Sequence, residues 1–253
     1  MELVLIGIGT GNPDHLTLQA VKALNAVDLI LIPEKGEEKA DLAGLRRAIC
    51  ADVLTNPAVK IVGFEMPVRD PANPGYLSRV NDWHDEIAGA WEAAIAAYPG
   101  TRRVALLVWG DPSLYDSTLR IAARLSGDLC GIEVSVVPGI MSPQVLAAAH
   151  RIPLNGLGAP FLVTTGRRLR EEGWPPGVDR VVVMLDGGCA FQDLPPEGVT
   201  IWWGAFVGMA NEITESGPLA EAGPRILARR EAARAEHGWL MDIYIMERKT
   251  PAE

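Results

Sequence analysis

A two-domain α/β fold is predicted by three features of this sequence. Near-continuous apolar runs, Leu3–Ile8, Val27–Pro33 and Val104–Val108, alternate with segments of helical period through the first half. That is the pattern of a mostly parallel sheet with helices on both faces. Past Pro138-Gly139 the strands are joined by fewer helices, and Trp239–Glu247 alternates with a period of two, as in a mixed α+β domain. A Gly- and Pro-rich segment, Pro153–Pro160, lies in the transition. With 253 residues there is length for two cores, and the boundary is drawn at 1–139 and 140–253.

Each element has its own signal. Leu3–Ile8 reads as a buried strand and Gly7–Pro13 as a turn. Asp14–Ala26 sets Leu16, Ala20 and Leu24 on one helix face, with Val27 continuing it. Val27–Pro33 reads as a strand, Lys39–Cys50 as a helix, and Val59–Met66 as a strand before a loop from Pro67 to Gly75. Val80, Trp83, Ile87, Trp91, Ile95 and Tyr98 then share one face of a long helix. After Val104–Val108, a helix is expected over Leu114–Ser126 and a strand over Glu133–Val137. The second domain is expected to hold a short helix at Ser142–His150 and a charged one at Pro224–Glu236. Its strands are placed at Phe161–Thr165, Val181–Leu185, Val199–Phe206 and Trp239–Glu247.

Composition narrows the function. Hydrophobic residues make up 48% and charged residues 22%, which excludes wholesale disorder. The net charge of −9 argues against non-specific binding to nucleic acid or an anionic membrane. Cys50, Cys130 and Cys189 are widely spaced and form no CxxC, so neither a disulfide framework nor a zinc knuckle is expected. No apolar run approaches the ~18 residues of a membrane helix, and Met1–Ile6 has no basic leader, so a cytoplasmic location is expected.

Two turns are placed for ligand chemistry. Gly7-Ile8-Gly9-Thr10-Gly11 follows a strand and precedes a helix, but Asn12 breaks the G-x-G-x-x-G dinucleotide fingerprint. Glu34 at the next strand end imitates a ribose-binding acid; equally, the glycines answer a tight turn that needs positive φ. In Trp109-Gly110-Asp111-Pro112-Ser113-Leu114-Tyr115, Gly110 allows close approach to the backbone and Pro112 suits a helix start. Asp111 either caps that helix or faces a ligand. A loop of carbonyls with one carboxylate suits a cationic or polyhydroxyl ligand such as a sulfonium nucleoside. His15, His84, His150 and His237 form no metal-binding spacing, so no metal is expected, and no G-x-S-x-G elbow is present. The pairs Arg46-Arg47 and Arg167-Arg168 suit carboxylates or phosphates, or else a solvated loop.

Four motifs in order, Ile6–Pro13, Leu16–Ala20, Gly110-Asp111-Pro112-x-x-Tyr115 and Val137–Ile140, make the chain resemble the tetrapyrrole methylases. The resemblance covers essentially the whole chain. Further segments narrow it within the family: Leu45–Cys50, Trp83-His84, Trp109–Thr118, His150–Asn155 and Thr164–Leu169. It implies two α/β domains with S-adenosyl-L-methionine in the cleft between them. It also implies methylation of precorrin-5 at C-1 with loss of acetate, giving precorrin-6A and S-adenosyl-L-homocysteine. Carried over residue by residue, it assigns Pro33, Trp109, Gly110, Asp111, Leu114, Tyr115, Met141, Ser142, Met184, Gly204 and Ala205 to the cofactor. Tyr115 and Lys35 become candidates for acid–base work. The many carboxylates of the tetrapyrrole give Arg46, Arg47, Arg151, Arg167 and Arg168 a purpose. A homodimer is implied as well. Pro33 departs from the family, which carries an acidic residue two before Lys35-Gly36. Another tetrapyrrole methylase, a nicotinamide-dependent oxidoreductase and a non-catalytic binding module are the competing expectations.

Overall fold

The computed structural model describes residues 1–34, 40–68, 76–125 and 129–248. Two compact units divide the chain, Met1–Ile140 and Met141–Glu253. In the first, β1 (Glu2–Gly7), β2 (Leu29–Glu34), β3 (Lys60–Glu65), β4 (Arg103–Val108) and β5 (Glu133–Val137) form an all-parallel sheet in the order β3-β2-β4-β1-β5. Side chains alternate along each strand. Leu3, Leu5, Leu29 and Leu31 therefore face Ile87 and Trp91 of α3 (Tyr76–Ala96) and Ile121 of α4 (Thr118–Ala122). Val4, Ile6, Ile30 and Ile32 face Ala20 and Leu24 of α1 (Leu18–Leu24) and Ile49 and Cys50 of α2 (Ala40–Val53). Both faces are buried, which is why these strands read as unbroken apolar runs.

Two helices in this unit are shorter than expected. The segment from Asp14 does not continue one helix, because the Asn12 side chain accepts from the Asp14 N–H at 2.9 Å and closes a short 3-10 turn, Pro13–His15. Thr17 then caps α1 by accepting from the Ala20 N–H at 3.0 Å. Leu114–Ser117 is not helical: Tyr115 has φ 49°, outside the right-handed helical region. Helix α4 starts only at Thr118, whose N–H donates to the Asp116 carboxylate at 2.6 Å.

The second unit has a mixed sheet of β6 (Leu162–Thr165), β7 (Arg180–Met184), β8 (Val199–Ala205), β9 (Ile213–Pro218) and β10 (Asp242–Arg248), in the order β6-β7-β10-β8-β9. Only the β6–β7 pair is parallel. Helix α5 (Ser142–His150) lies against β8 and β10. Three features depart from expectation. The edge strand β9 is polar and ends in Gly217-Pro218, which hides it as a loop. The arginines after β6 stand on a helix, α6 (Gly166–Glu172), capped by the Thr165 hydroxyl, and not on a solvated loop. Helix α7 (Leu219–His237) starts upstream of Pro224 and runs through it.

Candidate active site

The strand order of the first unit places a crevice. From β1 the chain crosses to β2 over the α1 face, whereas from β4 it crosses to β5 over the opposite face. Loops leaving neighbouring parallel strands in opposite directions open a ligand site at their carboxyl ends. Here those loops are Gly7–Asn12 and Trp109–Tyr115. They are locked together: the Gly110 N–H donates to the Gly9 carbonyl at 2.8 Å, and the Gly9 N–H returns to Gly110 at 3.4 Å. Gly9 and Gly110 have φ 71° and 67°, which glycine adopts without strain. A Cβ on Gly7 would stand 2.6 Å from the Gly139 nitrogen and 2.8 Å from the Gly110 carbonyl oxygen. The motif glycines thus let three strand ends meet backbone to backbone.

Asp111 fastens this junction. One carboxylate oxygen accepts from the Gly139 N–H at 2.8 Å, and the other from the Ser113 N–H at 2.8 Å and the Ser113 hydroxyl. Burial raises its pKa, but the bonds from the Ser113 hydroxyl, Gly139 N–H and Ser113 N–H outweigh it and hold the carboxyl below its ordinary value. Asp111 therefore does not cap the following helix. Beyond it, Leu114 is half-buried and Tyr115 is 44% exposed.

Around the end of β2 the arginines separate. Strand β2 pairs with β4 only as far as Leu31–Leu106, which leaves room for Pro33. Arg46 Nε donates to the next carbonyl of β4, Leu107, at 3.2 Å, and Nη1 to the Leu42 carbonyl at 3.2 Å. Burial lowers its pKa, against the nearby Asp116 charge, which raises it. Arg47 pairs with Glu34, whose carboxylate lies over Gly63, so this acid is engaged within the protein. Lys35 lies outside the described residues.

In the second unit, Met141 and Ser142 start α5, where the Met141 N–H donates to the Gln144 side chain at 2.8 Å. Arg151 is exposed in a left-handed cap at φ 55°. Beside it, His150 Nε2 donates to the Trp203 carbonyl at 3.0 Å. Arg167 and Arg168 are both exposed, and Arg168 grips Glu172 with two bonds, 3.0 and 2.9 Å. Met184 ends β7 half-buried. Gly204 is packed against Leu146 and Val207, and Ala205 is fully buried in the core.

Sequence reasoning missed a buried polar network beneath the end of β7. Asp186 accepts from the Tyr244 hydroxyl and the Ala190 N–H, both at 2.6 Å. Arg230 donates to Asp242 at 2.7 Å and to the Asp186 carbonyl at 3.1 Å, and the Trp203 indole donates to Asp242 at 2.9 Å. Burial, with the Asp186 charge beside it, raises the Tyr244 pKa strongly and keeps the phenol protonated as a donor. These residues have no common spacing, so no sequence signal marks them.

The fold and this strand-end site define a class, and the family model of the Tetrapyrrole (Corrin/Porphyrin) Methylases matches residues 2–223. The chain belongs to that family. Among its relatives, it is 47% identical over 250 residues to the precorrin-6A synthase [deacetylating] of Sinorhizobium sp, covering 98% of this chain and 95% of that one. A solved structure of a cobalamin synthesis related protein (CobF) from Corynebacterium diphtheriae has a TM-score of 0.81 at 37% identity, covering 98% of this chain and 99% of that one. The uroporphyrin-III C-methyl transferase of Thermus thermophilus, solved with S-adenosyl homocysteine, shares the fold. Its TM-score is 0.60 at 20% identity, covering 98% of this chain and 92% of that one.

Proposed function

We propose that this protein is an S-adenosyl-L-methionine-dependent methyltransferase that converts precorrin-5 to precorrin-6A, with release of acetate and S-adenosyl-L-homocysteine. The observation that carries the reading is its full-length likeness to the Sinorhizobium deacetylating synthase. Water is consumed as the acetyl group leaves as acetate, and the electron pair left in the macrocycle forms the new bond from C-1 to methyl. The cofactor supplies that methyl from its sulfonium. Transfer from a sulfonium needs little acid–base help, so positioning dominates.

The residues present fit such a group. Gly110 leaves the loop without a side chain where it pairs with Gly9, and Asp111 holds the loop from Trp109 through Leu114 to Tyr115 at the crevice. Pro33, Met141-Ser142, Met184, Gly204 and Ala205 are assigned to the same cofactor. Acetyl loss needs a polarising donor or base. The Tyr115 phenol, exposed on the cofactor loop, is assigned that role, with Lys35 as the second candidate. We assign Arg151, Arg167 and Arg168 to the carboxylates of the substrate. A cytoplasmic homodimer completes the reading; no described helix is long and apolar enough to cross a membrane. Sedimentation near the 27.2 kDa chain mass would remove the dimer.

Precorrin-5 and methyl-labelled cofactor provide the test. The expected yield is one acetate and one S-adenosyl-L-homocysteine per labelled tetrapyrrole. Methylation without acetate points to another tetrapyrrole methylase, and a co-purified dinucleotide to an oxidoreductase.

A further inference from the structure

Leu185, the first residue after β7, combines two unfavourable features. The residue is 67% exposed, and its backbone is left-handed at φ 54°. A bulky residue in that region is strained, and glycine would relieve the strain. The segment is nonetheless held rigidly. The Asp186 carboxylate accepts from the Tyr244 hydroxyl, the Ala190 N–H and, at 3.1 Å, the Gly188 N–H. Arg230 donates to the carbonyls of Asp186 at 3.1 Å and Gly187 at 3.3 Å, while paired to Asp242. Buried ionic groups of this kind are weak contributors to stability, and their best-attested use is to fix one conformation. The conformation fixed here presents an apolar side chain to solvent.

We infer that Leu185 is a specificity-determining residue whose side chain packs against the apolar face of the tetrapyrrole macrocycle. This rests on the proposed function. The choice of macrocycle over cofactor comes from the neighbouring strand. Strands β6 and β7 run parallel with Thr165 beside Met184, so the chain leaves the sheet at the same end before Gly166-Arg167 on one strand and Leu185 on the other. Gly166 has no room for a side chain, because the Asp186 carboxyl occupies that place. An apolar side chain at the same sheet end as an exposed arginine matches a flat ring bordered by carboxylates. A sulfonium gains nothing from the same guanidinium.

Leu185→Gly separates this role from a structural one, since it relieves the backbone and removes the contact. The expected result is an unchanged or higher thermal midpoint and unchanged affinity for S-adenosyl-L-homocysteine in calorimetry. The apparent KM for precorrin-5 rises roughly tenfold or more, as for loss of a buried leucine side chain. Leu185→Asn, which tolerates the left-handed backbone, should behave alike, and Leu185→Met should restore most of the binding. A precorrin-5 KM within twofold of wild type in Leu185→Gly overturns the inference. So does an equal loss of cofactor affinity, or a changed sedimentation mass with KM intact. Failure of the proposed function shows separately, as wild-type protein that does not convert precorrin-5.

Discussion

Arg167 and Arg168 are adjacent in sequence, and both are exposed at the start of α6. Arg168 is held by two bonds to Glu172 one helical turn away, an exposed i,i+4 pair of small energetic consequence. Arg167 is exposed on the first turn of α6. A hydrogen bond to a charged group contributes about 1.5–3 kcal/mol, so Arg167→Ala should raise the KM for the tetrapyrrole roughly tenfold to a hundredfold. Arg168→Ala should raise it as well, and steady-state kinetics showing a KM within twofold of wild type in both variants would remove the assignment of this pair. Arg46 is a third case. Its guanidinium is committed to the Leu107 and Leu42 carbonyls, and removal leaves the Leu107 carbonyl without that donor at a cost of about 1–3 kcal/mol. Arg46→Ala should therefore lower the denaturation midpoint while leaving the substrate KM of the folded fraction unchanged; a KM effect without a stability loss contradicts the structural reading. All of these arginines were visible in the sequence as carboxylate-binding chemistry. Which of them the protein satisfies internally was not, because that depends on the start of α6 and on where β2 diverges from β4.

The junction of β1, β4 and β5 rests on glycine. A Cβ on Gly139 would run into the Gly110 carbonyl oxygen and stand 2.8 Å from the Gly7 carbonyl carbon. Gly139→Ala should destabilise by about 1–3 kcal/mol, as overpacking does, and an unchanged urea midpoint would refute the close approach. Asp111 makes the same junction sensitive to pH. Its folded pKa lies below the ordinary value of 3.8, so its contribution is fully present above that value and is lost as pH falls through the depressed one. Below about pH 4 the midpoint of wild type should fall towards that of Asp111→Asn, which starts lower at neutral pH. The difference between the two curves isolates Asp111 from Glu2, Asp28 and Glu215, which are also depressed. A gap between wild type and variant that does not narrow in acid removes the assignment. The central parallel strands β1, β2 and β4 were legible because each is buried on both faces. The loop after β4 was not, since its Asp111 turn and the positive φ of Tyr115 stop a helix whose composition is otherwise favourable. Strand β9 was hidden for a different reason: as an edge it needs no apolar run.

At the scale of the whole chain, the network of Asp186, Arg230, Asp242 and Tyr244 was illegible because the fold alone brings these distant residues together. Net charge, by contrast, is read directly from the sequence, and it sets a test of the proposed function. A protein of charge −9 repels a polycarboxylate at long range, while the arginines proposed for the substrate would attract it at contact. These forces respond differently to salt. Raising ionic strength from about 0.01 M to 0.1 M shortens the Debye length from about 30 Å to 10 Å, which screens the long-range repulsion but spares pairs in contact. The value of kcat/KM for the tetrapyrrole should therefore rise over this range. Near 1 M the Debye length is about 3 Å, contact pairs weaken as well, and kcat/KM should fall again. Arg167→Ala should keep the rise and lose much of the later fall, because the rise comes from the net charge and the fall from the contact it removes. Cofactor affinity, proposed to rest on backbone and on the loop that Asp111 holds, should vary little across the series. A monotonic decline of kcat/KM from the lowest salt upward would mean that a local positive field already outweighs the net charge at long range.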